Sequence, residues 1–199
     1  DLLMSSGKIT ESEETLVRAL LESPDNAELR ARMAGRKLLN GCIDEAQTLL
    51  DETPLGIDHT LLHVIEGRLH LARADRQRDG TGQTDQALLS EAITSFNDAL
   101  RLDRESGVAW LGLARTKRLL GDIEAAAEAI ARALRLLTEE DSSASSEAAL
   151  LALDMDDLSS ASKHIDAAAI HGNSATIHYV RGNISGRKGF LDKALMHYD

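Results

Sequence analysis

The chain has 199 residues, 43% hydrophobic and 28% charged, with a formal net charge of −11. That composition supplies a substantial core, is too polar for a membrane span, and argues against bulk attraction to nucleic acid or to an anionic lipid surface. Only 3% of residues are aromatic, so Ala and Leu must build the core, and closely packed small aliphatic side chains favour helices.

Along the chain one pattern recurs. Gly7-Lys8-Ile9-Thr10-Glu11 reads as a turn glycine, a polar residue, an apolar residue and an acidic helix start. Ser23-Pro24-Asp25-Asn26 then separates that helix from the next, which carries Leu29, Met33 and Ala34. Gly41-Cys42-Ile43-Asp44-Glu45-Ala46 repeats the turn, 34 residues after the first. A helix with Leu61, Leu62, Ile65, Leu69 and Ala72 follows. The run over 75–86 is polar and rich in Gly, Gln and Asp, and predicts an inserted loop before the helix of Leu89, Ala92, Phe96 and Ala99. Ala109 to Ala114 and the turn Gly121-Asp122-Ile123-Glu124-Ala125-Ala126 restore the pattern, with Ile130, Ala133 and Leu134 behind it. Between Ala148 and Ala168 it weakens, and Met155-Asp156-Asp157 stands where a turn glycine is expected. After Gly172-Asn173-Ser174 a last copy uses Ile177, Gly182, Gly189 and Ala194. Pro24 and Pro54, the only prolines, interrupt none of these helices.

The 34-residue period, the order of large and small positions around Trp110, Leu113, Ala114, Gly121, Ala126, Ile130 and Ala133, and the in-frame copies resemble the tetratricopeptide repeat family. The resemblance implies an all-α, right-handed superhelical solenoid of antiparallel helix pairs, about five repeats over 1–199. It also implies that Trp110 and Ala126 are buried between helices. Asp1 to Ser6 read as the tail of a first helix and Leu195 to Asp199 as half of a second, so a chain cut at both ends is expected. The amino terminus has no basic segment followed by an apolar run, so a signal peptide is not expected there.

In this family the first helices line a concave groove, and here they are basic by composition. Arg30, Arg32, Arg36 and Lys37 oppose only Glu28 in one; Arg115, Lys117 and Arg118 in another and Arg181, Arg187 and Lys188 in a third meet no acid of their own helix. Second helices lean acidic, as at Asp44, Glu45, Asp51 and Glu52. One reading is an electropositive groove for an acidic partner segment, with Arg32, Arg115, Arg118 and Arg187 as contacts. The other is that late-helix cations answer the helix dipole. The asparagine-bearing carboxylate clamp of chaperone adaptors is not evident, with Gly35 and Gly112 on part of the corresponding surface, and is not carried over.

The remaining motifs carry little chemistry. His63, Glu66 and His70, with His59 before them, share a helix face that two histidines and a carboxylate of a metal site would need, but a solvated polar face is the expectation. Gly80-Thr81-Gly82 lacks the strand and lysine of a phosphate loop. Ser142-Ser143 and Ser159-Ser160 are helix starts rather than nucleophiles. Cys42, the single cysteine, excludes an internal disulfide framework and fits a cytoplasmic or a periplasmic protein alike. The expectation is a non-enzymatic, cofactor-free scaffold that binds protein or peptide and neither nucleic acid nor the membrane interior, in an assembly such as bacterial secretion, polysaccharide export or envelope assembly. Self-association, or service as a regulatory repeat beside an enzyme or sensor outside this chain, are the alternatives.

Overall fold

A computed structural model describes residues 13–54, 56–82, 84–138 and 141–198, and all regular structure among them is helical. Helix α1 covers 13–22. It is followed by α2 (Ala27–Leu39), α3 (Ile43–Asp51), α4 (Thr60–Thr81), α5 (Gln86–Leu102), α6 (Gly107–Leu119), α7 (Ile123–Leu136), α8 (Ser142–Asp154), α9 (Leu158–Ile170), α10 (Ala175–Arg187) and α11 (Leu191–Tyr198). The chain forms two compact units that divide between Arg104 and Glu105.

Short polar segments start the helices. Asn26, Asp85, Ser106, Asp122, Asp141 and Asp157 each accept a backbone N–H of the first turn, satisfying donors that a helix start leaves free. Asp157 accepts from both Ser159 and Ser160, and the Ser160 hydroxyl also donates to it, holding the Asp157 carboxyl below its usual range. The serine pairs are therefore helix-start residues.

Turns inside four of the pairs follow one device. After α2, Cys42 N–H reaches back to the Lys37 carbonyl and Gly41 N–H to that of Leu38; the same two bonds recur at Asp122 and Gly121, at Asp157 and Asp156, and at Phe190 and Gly189. This closing pattern requires a left-handed residue just past the helix. Gly41, Gly121 and Gly189 supply it at φ 75°, 78° and 82°, and Asp156 supplies it at φ 59°. The weak repeat is thus a regular pair whose turn tolerates an aspartate, a residue that visits this conformation more readily than most.

Alanine sets the spacing of the core. In the first unit Ala31, Ala34 and Ala46 pack with Leu62, Ile65 and Leu69; in the second, Ala149, Ala161 and Ala168 pack with Ile165, Ile177 and Val180. At Gly67 the approach is tighter still, since a methyl group there would lie 2.7 Å from the Phe96 ring. Ala126 is buried as the frame requires. Trp110 is not: its ring is half-buried between α6 and α7, with the Arg132 guanidinium 4.4 Å from its centre. An indole at a helix edge packs one part and leaves another to a cation.

The inserted loop is also corrected. Residues 75–81 are the last two turns of α4, and Gly82 ends the helix at φ 72°. Arg and Gln are good helix formers, and the Arg78–Asp75 pair and the two-pronged Arg76–Asp44 pair hold the extension in place.

Within the second unit the first helices α6, α8 and α10 touch in succession, whereas α7, α9 and α11 do not touch one another among the described residues. The first-helix layer is therefore the tighter side of that unit. The first unit repeats the arrangement with α2 on α4.

Candidate functional site

On this layer most of the basic side chains that meet no acid in their own helix meet one in space. Arg118 is the clearest case. Its side chain is 14% exposed, its Nε donates to Glu147 of α8, and its Nη1 donates to Asp154 at 3.1 Å. From the other side, Arg187 of α10 donates through Nη1 to the Leu153 carbonyl and to Asp156, both at 2.8 Å. Helix α8 has no basic residue in its own last turn. Arg118 and Arg187 converge on its carboxyl end and answer the partial negative charge there. Both arginines also lie in the last turn of their own helices.

Other cations behave similarly. Lys117 pairs with Asp122 across its turn, Arg181 with Asp166 of α9, and Arg30 with Glu52. Lys37 reaches Glu45 at 3.0 Å, and that hydrogen bond raises its pKa despite opposing desolvation. Arg32 pairs with Glu28 one turn back in an exposed i,i+4 bridge, a contact of at most about 1 kcal/mol. Arg115 is exposed on α6. Of the four predicted contacts, the structure brings Arg118 and Arg187 together on α8, keeps Arg115 on the same unit, and places Arg32 in the other.

Sequence reasoning missed the apolar component of this layer. Val108 of α6 is 41% exposed and Tyr179 of α10 is 54% exposed. The signal was present: both are large residues on first helices, at helical positions where Ala and Leu do the packing. In the first unit, an open cleft of about 990 Å³ lies among α1, α2 and α3, with Val17, Leu21 and Leu49 beside Arg30 and Lys37.

The histidine face is half-buried rather than solvated. His63 lies against Asp58 and Glu66, and His70 Nδ1 lies 3.0 Å from Glu91 without the alignment of a hydrogen bond. Burial depresses the His70 pKa, with Glu91 opposing. Among the described residues no group of three His, Cys, Asp or Glu side chains is arranged to hold a metal ion, and no helix is long and apolar enough to cross a membrane. Cys42 caps no N–H with its side chain; its Sγ lies 3.8 Å from the Asn40 carbonyl.

Comparison with known proteins bears on the same segments. Residues 108–136 match the tetratricopeptide repeat family profile. Among solved structures, the chain is similar to a tetratricopeptide repeat protein from Parabacteroides merdae, with TM-score 0.68 and 17% identity over 98% of this chain and 71% of that one. It is similar to a thermophilic tetratricopeptide repeat protein of Thermus thermophilus, with TM-score 0.67 and 22% identity over 98% and 94% of the two chains. It is also similar to YrrB, described as a tetratricopeptide repeat protein with an unusual peptide-binding site, with TM-score 0.55 and 19% identity over 93% and 89%. No curated protein matches the sequence.

Proposed function

From a chain that has the tetratricopeptide repeat fold, with residues 108–136 a repeat of that family, we infer a protein–protein interaction scaffold that holds a partner segment on its first-helix layer. The observation that carries this reading is the side-chain character of that layer in the second unit. The buried positions of α6 and α10 are filled by Ala, Gly, Thr and aliphatic residues, yet Val108 and Arg115 on α6 and Tyr179 on α10 stand exposed. Exposed aromatic and arginine side chains on a rigid surface are the kind that anchor peptides.

The acidic-partner form of the reading rests on Arg32 in the first unit and on Arg115 and Arg187 in the second. Arg118 positions α8, and its two carboxylate partners outnumber its own charge. An acidic segment is thus attracted by a few separated cations rather than by a continuous positive lining, and the charge contribution is mainly to association rate.

Peptides selected from a random library against the whole chain test the reading. Val108→Asp and Tyr179→Asp should each weaken the selected peptides at least tenfold, while Ile170→Asp, at an exposed end of the second helix α9, should leave them unchanged. Equal binding by all three variants removes the first-helix layer from the account. Raising salt separates the finer claim: selected peptides that are acidic and lose affinity with salt and with Arg115→Ala support it, and a flat salt response removes it while leaving the scaffold standing.

A further inference from the structure

Two histidines one turn apart at the start of α4 have opposite proton requirements. His59 is the N-cap, and its Nδ1 accepts the Leu61 N–H at 3.2 Å. Only an unprotonated Nδ1 can accept. His63 faces a carboxylate at each ring nitrogen: Nε2 is 2.8 Å from Asp58 Oδ1, and Nδ1 is 2.9 Å from Glu66 Oε2. A neutral imidazole has one N–H, so it can donate to one of these carboxylates and presents a lone pair to the other. Both contacts are hydrogen bonds together only when the ring is an imidazolium. Asp58 is kept ionised by Arg101 of α5, which donates to its other oxygen at 2.9 Å. It therefore joins three segments: the connector before α4, α4 through His63, and α5 through Arg101.

We infer that the start of α4 is a proton-gated latch, in which a charged His63 bridges Asp58 of the connector to Glu66 of α4 and completes the fastening that Arg101 of α5 provides from the other side. The charged groups facing His63 are Asp58 from the connector, Glu66 from α4, and Asp98 with its neighbour Arg101 from α5. Burial by itself lowers the His63 pKa, but the hydrogen bonds to Asp58 and Glu66 and the field of Asp98 outweigh it and leave the pKa above its ordinary value. A histidine whose folded pKa is raised contributes stability below its unfolded pKa and loses it as pH rises through the folded pKa. That gives the latch an alkaline limit, above which one of the two carboxylates loses its hydrogen bond to His63.

The test follows the histidine ring nitrogens of the whole chain by NMR across pH, with hydrogen-exchange protection at Leu61 and His63 corrected for intrinsic rates. Below its midpoint His63 should show two protonated nitrogens, and protection should fall as pH rises through that midpoint. His63→Gln should abolish this fall, and His59→Asn, which also caps, should keep it. Asp58→Asn should lower the His63 midpoint by about one pH unit, a tenfold loss of proton affinity. A His63 midpoint at or below the ordinary histidine value, or an alkaline fall in protection that survives His63→Gln, overturns the inference. Should either variant fail to fold, the wild-type ring protonation states decide alone.

Discussion

The pair α6–α7 and the pair α4–α5 use the same packing and different turns. In the first, α6 has 13 residues and stops before Gly121, seven residues beyond Ala114, which is buried beneath the second helix. In the second, Gly67 makes the close approach against Phe96, but the residue seven positions on is Ala74, and α4 continues to a length of 22 residues. Alanine lets a helix continue where a left-handed glycine ends it. The instruction for how closely two helices pack is therefore separable from the instruction for where they turn, and α4–α5 keeps one without the other.

A charge introduced at the shared packing position tests that separation most severely. Ala126 and Ala92 are both buried on second helices. Ala126→Glu and Ala92→Glu should each cost on the order of 3–5 kcal/mol in denaturant unfolding, by placing an unpaired carboxylate in a tight contact. If Ala92→Glu were tolerated while Ala126→Glu was not, the two pairs would not share a packing code. Gly67→Ala is next, at about 1–3 kcal/mol, because the new methyl meets the Phe96 ring.

The first-helix and second-helix pattern, the alanine spacing, the turns at Gly41, Gly121 and Gly189, and the helix-start serines were all legible in the sequence because each depends on residues within one turn of each other. The extension of α4 was not. Asp75 to Thr81 have the composition of a loop, and what holds them helical includes Arg76 reaching Asp44 of another helix. The candidate site failed for the same reason. Arg118 and Arg187 look unopposed along their own helices, and the carboxylates that claim them are contributed from 29 to 36 residues away. Trp110 was expected to be buried and is half-buried instead, with the Arg132 guanidinium from across the pair over its ring.

Smaller effects sharpen the account of the turns. Gly121→Ala should destabilise by about 1 kcal/mol, because a side chain is strained at φ 78°. Ala74→Gly should cost somewhat more, about 1–2 kcal/mol, through helix propensity and the loss of a buried methyl group, and α4 should remain helical beyond it by hydrogen exchange at residues 75–81. If that exchange protection vanished, the turn would be encoded at this one position. Asp156→Gly should relieve the left-handed strain but lose the exposed Arg187 bridge, for a net change within about 0.5 kcal/mol.

The central claim is that the chain recognises a partner through its first helices. The most direct measurement is a hydrogen-exchange and chemical-shift footprint of one library-selected peptide on the whole chain. The account predicts that the peptide perturbs the exposed residues of α6 and α10 around Val108, Arg115 and Tyr179, and leaves the exposed residues of α7 and α9 unchanged. A footprint confined to α7, α9 or α11, with Val108 and Tyr179 unaffected, contradicts it.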